Sequence, residues 1–353
     1  MKDQIVEEDI LAIADEIRKS AKKLEGKTLL ISGGAGFIGS YVLATIQYLN
    51  DNYFKEKCSV ISLDNYITGS PRGLIPMKTD KNIKHIKHNI IKPFRTRKKI
   101  DYIIHAAGIA SPIYYRRSPL ETIDVTIQGL RHLLELGRVN KVKSFLYFSS
   151  SEIYGNPDAK FLPTPETYKG NVSSIGPRSP YDESKRLGET LCIAYHTLYK
   201  LPVKIVRPFN VYGPGMKPTD FRVLPMYVSR GTEGKALPVH ADGKQTRTFC
   251  YVSDAITGFL KVFLSDKNGE VYNVGNDDVE ISMYKLAKKV AGILGKGVKI
   301  EKISYPSNYP QDEPQRRSPN LSKIRKDLEY EPKVDLDVGL RRFILWFKDT
   351  YGV

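Results

Sequence analysis

The sequence predicts an α/β fold: a doubly wound parallel sheet covered by helices on both faces, with a smaller lobe toward the C-terminus. Three observations carry that prediction. Short apolar runs alternate with helical periodicity from residue 28 to residue 206. A glycine-rich turn, Gly33-Gly34-Ala35-Gly36-Phe37-Ile38-Gly39, joins the first apolar run to the first helix of that alternation. Beyond Pro208 the alternation gives way to irregular segments rich in Pro and Gly.

The elements follow in order. Ile10, Ile13, Ile17, Ala21 and Leu24 recur at helical spacing, which predicts a short amphipathic helix that packs on the fold or on a partner. This segment is charged from its second residue and lacks an apolar stretch, so it is not read as a signal peptide. The run over 28–32 ends in glycines and reads as a buried strand, followed by a helix over 37–49. A second strand covers 59–63 and ends at Asp64. Further strands lie at 102–106 and 145–148, with one long helix over 119–138 between them. A helix over 179–200 leads to a strand at 203–206. Helical spacing returns at 254–264, 282–294 and 338–349. The pattern divides the chain into an N-terminal helical extension (1–26), a Rossmann-type dinucleotide-binding domain (27–209) and a partly discontinuous lobe, mostly substrate-binding (210–353).

Composition narrows the class. With 353 residues, 41% hydrophobic and 27% charged, the chain can bury a sizeable core. Cys58, Cys192 and Cys250 are scattered without CxxC spacing. That argues against a disulfide framework or a zinc site, so no metal is expected, and it fits a reducing cytoplasm. No apolar run approaches about 18 residues, so no membrane span is expected. The formal charge of +16 points to an anionic ligand, to nucleic acid, or to a solvated basic surface. The densest stretch, 84–99, holds seven Lys or Arg but no aromatic interleaving beyond Phe94 and no nucleic-acid motif. The solvated surface is preferred there, and no nucleic-acid partner is expected.

The chemistry lies in two places. The glycine-rich turn lets backbone N–H groups approach a pyrophosphate at a helix N-terminus. Asp64 follows Gly39 by 25 residues, at the end of the second strand. A carboxylate there accepts ribose hydroxyls and repels a 2′-phosphate, which favours NAD over NADP. The candidate cofactor residues are Gly33, Gly36, Phe37, Ile38, Gly39, Asp64, Asn65, Ala106, Ala107 and Lys185. The second place combines Ser149-Ser150-Ser151-Glu152, at a strand end, with Tyr181 and Lys185, four apart on one helix face. An ammonium beside a phenol lowers its pKa toward working pH, making Tyr181 a candidate base for a sugar hydroxyl.

This combination resembles the extended short-chain dehydrogenase/reductase superfamily, the NAD-dependent epimerase/dehydratase family. The segments Ala110-Ser111-Pro112, Ser150-Ser151-Glu152-Ile153-Tyr154-Gly155, Gly176-Pro177-Arg178, Tyr181-Asp182-Glu183-Ser184-Lys185-Arg186, Gly243-Lys244-Gln245-Thr246-Arg247 and Asp312-Glu313-Pro314-Gln315-Arg316-Arg317 are most similar to the UDP-glucuronate decarboxylases. The resemblance implies oxidation of a nucleotide-linked uronic acid at C4, loss of carbon dioxide and re-reduction to UDP-xylose. It implies Tyr181, Lys185, Glu152, Ser150, Ser151 and Arg317 as catalytic. It further implies that Arg317 holds the substrate carboxylate and that Asn210, Arg247 and Arg222 contact the diphosphate. It also implies a homodimer.

Alternatives stay open at this stage. Ser151 stands where the related sugar 4,6-dehydratases carry an Asp, and serine is a poor general acid, which disfavours dehydration. Plain 4-epimerases usually carry no acid at the position of Glu152. The chain departs from the decarboxylase pattern at Pro225-Met226, Ser184 and Asn89. A 4-epimerase or 4,6-dehydratase is therefore the rival enzyme. A non-catalytic NAD- or nucleic-acid-binding protein is the rival of another class.

Overall fold

A computed structural model of the protein describes residues 2–67, 69–70, 75, 77–295, 297–305 and 314–352. Among them, seven parallel strands form the central sheet. They are β1 (Thr28–Ser32), β2 (Ser59–Asp64), β3 (Ile83–Lys87), β4 (Tyr102–His105), β5 (Ser144–Phe148), β6 (Val203–Pro208) and a late strand, Glu270–Val274. The late strand lies outermost at one edge, followed by β6, β5, β4, β1, β2 and β3. Chain order reverses between β4 and β1, where Ser32 pairs with His105. A crevice opens at such a switch point, beyond the C-terminal strand ends.

Strand periodicity splits the core in two. In β1, Leu29 and Ile31 join one cluster while Leu30 joins the other. A strand buried on both faces is apolar throughout, which is why β1, β4 and β5 were legible as apolar runs. The strand β3 reads Ile-Lys-His-Ile-Lys, and Lys84 and His85 are exposed on this outermost strand. Its charges conceal it from an apolar-run search. The late strand lies beyond Pro208 yet pairs with β6, from Glu270 opposite Lys204 to Val274 opposite Pro208.

The long helix expected over 119–138 is interrupted. Pro119–Asp124 is α-helical, Val125–Gly129 is a wider π turn, and Leu130–Asn140 is α-helical again. Gly129 lies in that turn, where a Cβ would meet Ile90 Cγ2 at 2.8 Å.

The N-terminal helix α1 (Lys2–Ala21) packs on this fold. It buries Ile5, Val6, Ile10, Ile13, Ala14 and Ile17 against α2 (Phe37–Asn52) and the helices Val252–Leu264 and Leu336–Tyr351. Asp9 is 3% exposed in that interface. Its carboxylate accepts from Tyr251 Oη at 2.9 Å, Tyr41 Oη at 3.3 Å and Arg342 Nη2 at 2.9 Å. A buried acid with three donors ties α1 to three other parts of the fold.

Beyond β6, two-residue strands do the positioning. Arg316–Arg317 pairs in parallel with Thr246–Arg247, setting Arg317 opposite Arg247. Among the described residues, no helix is long and apolar enough to cross a membrane.

Candidate active site

The site is built at the strand ends, in two connected regions. The first surrounds the glycine turn. Gly33 has φ +80°, and a Cβ on it would meet Ala107 N at 2.6 Å. A Cβ on Gly39 would collide with Gly33 O, so helix α2 and the turn approach as only glycine allows. Asp64 Oδ2 accepts from Ala35 N at 2.9 Å and Oδ1 from Tyr66 N at 2.8 Å. Each oxygen keeps a lone pair for a ribose hydroxyl. Gly33, Gly36, Asp64, Asn65, Ala106 and Ala107 line one small cavity. Phe37 and Ile38, half-buried, form the first turn of α2. These residues fit a dinucleotide: a side-chain-free turn for the pyrophosphate, a helix N-terminus, and an acid at the second strand end.

The second region is a cavity of about 430 Å³. Helix Ser179–Tyr199 brings Tyr181 to its wall and Lys185 behind it. Lys185 Nζ donates to Phe148 O, at the end of β5, at 2.6 Å. It lies 5.7 Å from the centroid of the Tyr181 ring. Burial lowers its ammonium to about 8. The expectation that Lys185 lowers the Tyr181 pKa is not met. Burial pushes the phenol up to about 12; a hydrogen bond with Ser150 opposes the rise, while the charges of Glu152 and Asp182 add to it. The ammonium is held by the β5 carbonyl. Tyr115 stacks on Tyr181 at 5.3 Å and 13°.

Ser150, Ser151 and Glu152 sit where β5 ends. Ser150 Oγ accepts from Glu152 N at 3.2 Å and caps the short 3-10 turn Ser151–Tyr154. Both serines are buried, and of the three residues Glu152 lines the cavity. Arg317 grips Glu152 with two prongs, Nη1 to Oε1 and Nη2 to Oε2, each 2.6 Å. Arg178 Nη2 also donates to Glu152 Oε2, and its Nε donates to Asp182 Oδ2 at 3.3 Å. Burial pushes the Glu152 carboxyl up, but Arg178, Arg317 and Arg247 together hold it below the usual carboxylate range. Asp182 goes the other way: burial and the Glu152 charge raise it to about 7.

The expected diphosphate contacts line the same cavity. Asn210 Nδ2 donates to Thr248 O at 2.8 Å. Arg247 donates to Pro314 O at 2.6 Å and Thr246 O at 2.8 Å. Arg222 lines the cavity but is paired with Asp220, Nε to Oδ1 at 3.0 Å. A phosphate would compete with that aspartate. Asp312 and Glu313 of the C-terminal motif lie outside the described residues.

Sequence reasoning missed Arg178, Asp182 and Arg116 as site residues. The i, i+4 spacing of Arg178 and Asp182 held a signal of their pairing. Nothing local linked Arg178 to Glu152, which depends on the turn after β5. With Arg116 included, five arginines and one acid, Glu152, line the cavity among the described residues.

Residues 29–275 match the model of the NAD dependent epimerase/dehydratase family. The chain is 39% identical over 312 residues to UDP-glucuronic acid decarboxylase 5 of Arabidopsis thaliana, covering 88% of this chain and 86% of that one. It is 34% identical over 330 residues to UDP-glucuronic acid decarboxylase 1 of Xenopus tropicalis, covering 94% and 74%. Among solved structures it is similar to the dTDP-glucose 4,6-dehydratase of Streptomyces venezuelae with NAD bound, at TM-score 0.80 and 26% identity, covering 92% and 98%. The glycine turn, the switch-point crevice and the matched span lead to one conclusion: the chain belongs to the NAD dependent epimerase/dehydratase family.

Proposed function

We propose that the protein is an NAD-dependent decarboxylase that converts UDP-glucuronate to UDP-xylose. One observation carries this reading: the arginine-lined cavity, in which Arg317 is paired with Glu152 and Tyr181 lines the same space. A nucleoside diphosphate bound to a uronic acid is an anion at both ends, and guanidinium groups match phosphate and carboxylate geometry. The names of the similar plant and animal proteins support the same substrate.

When bound, NAD would supply the hydride acceptor and donor for C4 of the sugar, and its positive charge would favour the Tyr181 phenolate. Gly33, Gly36, Phe37, Ile38, Gly39, Asp64, Asn65, Ala106, Ala107 and Lys185 would hold it. Tyr181 takes the O4 proton, with Ser150 as its hydrogen-bond partner. The resulting C4 ketone is β to the carboxylate held by Arg317. When carbon dioxide leaves, the bonding electrons pass to O4, where Tyr181 and Ser150 stabilise the enolate. C5 then takes a proton from water, and Tyr181 returns its own proton to O4 on re-reduction. Glu152 and Ser151 shape the region near C4 and C5. Asn210, Arg247 and Arg222 hold the diphosphate, with Arg222 giving up Asp220.

In this reading residues 27–209 carry cofactor and catalysis, 210–353 mostly the substrate, and 1–26 is an extension. Exposed Leu120 and Ile123 on helix Pro119–Asp124, with exposed Leu187 and Leu198 on helix Ser179–Tyr199, support a homodimer through these helices. Three buried free cysteines support a reducing, cytoplasmic setting. The test is a panel of UDP-glucuronate, UDP-glucose, dTDP-glucose and GDP-mannose, each with NAD, read by product mass. Loss of carbon dioxide from UDP-glucuronate is expected; epimerised or dehydrated hexoses instead would overturn the reading.

A further inference from the structure

Arg317 has two tasks that conflict. In the structure both of its terminal nitrogens are committed to Glu152. To hold a substrate carboxylate with the same two prongs, it must turn away from Glu152. A buried carboxylate left without a counter-ion takes up a proton or moves. Something else must then hold Glu152.

The structure offers Arg178. It is 5% exposed, and it stands just before the helix that carries Tyr181. Its Nη2 already donates to Glu152 Oε2. That Nε donates to Asp182 Oδ2, and Asp182 is 3% exposed. The two nitrogens thus face two carboxylates, and the planar guanidinium cannot turn toward a ligand without breaking both contacts. A lysine could not bridge them.

We propose that Arg178, oriented by Asp182, forms with it a positioning pair in which the guanidinium keeps Glu152 ionised and in place while Arg317 transfers its two hydrogen bonds to the substrate carboxylate. The proposal deepens the decarboxylase reading and rests on it for the identity of that carboxylate. It involves only ion-pair exchange: no bond is made or broken in the protein. The charged and titratable groups facing Glu152 are Arg178, Asp182 and Tyr181 at the start of one helix, and Arg317 and Arg247 on the two short strands.

Two measurements separate this pair from a general structural role. The first uses unliganded protein labelled with ¹³C at glutamate carboxyls, the Glu152 signal being assigned by its loss in Glu152→Gln. With Arg317→Met, Glu152 is expected to remain a carboxylate down to about pH 5, whereas adding Arg178→Met raises its titration by about one to three pH units. Identical titration in Arg317→Met and in the double variant would overturn the pair; if Arg178→Met does not fold, Arg178→Gln replaces it and decides in the same way.

The second measurement is turnover of UDP-glucuronate by Asp182→Asn with Arg317 intact. A kcat lowered roughly 10- to 100-fold, at a KM within about twofold, is expected of a misplaced group. Unchanged kcat would overturn the exchange. A wild-type protein that leaves UDP-glucuronate untouched counts against the decarboxylase reading, and the carboxyl titration then judges the pair without it.

Discussion

Arg317 and Glu152, 165 residues apart in the chain, meet in a two-pronged ion pair. Both contacts are 2.6 Å. The short parallel pairing of Arg316–Arg317 with Thr246–Arg247 delivers the guanidinium to the end of β5. The pair joins the late part of the chain to the dinucleotide-binding sheet at the point where chemistry is proposed.

Arg317→Ala should lower carbon dioxide release about a hundredfold or more. NAD binding, which uses the other region, should change little. Titration calorimetry with NAD beside a carbon dioxide assay separates the two. Equal losses in both would mean that the substitution unfolds the site.

Tyr181→Phe should lower kcat by about 10² to 10⁴. The titration of Tyr181 itself is the sharper check. Burial pushes the phenol up to about 12, so the protein without NAD should show no Tyr181 phenolate near neutral pH. Ultraviolet difference titration against Tyr181→Phe measures this. Adding NAD should bring the phenolate in at lower pH. A phenolate near pH 7 without NAD would show that Lys185 acts on the hydroxyl despite its bond to Phe148 O.

Asp64→Asn should weaken NAD and reduce its advantage over NADP. The substitution removes the charge that repels a 2′-phosphate. It also alters the acceptor of Ala35 N, so some loss of NAD affinity is expected as well. Competition between the two dinucleotides gives the ratio directly.

Asp9 sets a pH signature for the N-terminal helix. Burial raises its carboxyl to about 6, against the pull of Arg342 and Tyr251. The folded state therefore holds this proton more tightly than the unfolded chain does. That contribution is fully present below the unfolded value, near 3.8, and is lost as pH rises through about 6. Between those values the wild type should lose roughly 1–3 kcal/mol relative to Asp9→Asn. Denaturant unfolding of both proteins at several pH values reads the difference. A difference that grows in the opposite direction would mean that Arg342 dominates.

The frame was legible because its strands are apolar on both faces and its turn needs glycine. The run from Leu29 to Ile31 and the open approach at Gly33 are consequences of that burial. The strand β3 was not legible, since Lys84 and His85 stand in solvent on the edge. The strand Glu270–Val274 was missed because its partner, β6, lies far away in sequence. In the site, Tyr181 and Lys185 were found through helical spacing, but the direction of the ammonium was not. It depends on the Phe148 carbonyl, a backbone group with no trace in side-chain pattern. Arg178 escaped for a similar reason: its value lies in Glu152, brought close by the turn after β5.

The central claim is that this site removes the carboxylate of UDP-glucuronate. The direct measurement follows UDP-glucuronate labelled with ¹³C at C6, by NMR, in the presence of the protein and NAD. The account predicts that the label leaves the nucleotide sugar as carbon dioxide and bicarbonate, with UDP-xylose appearing in step. A label that stays on the sugar, whether unchanged or on a 4-epimer, would contradict it.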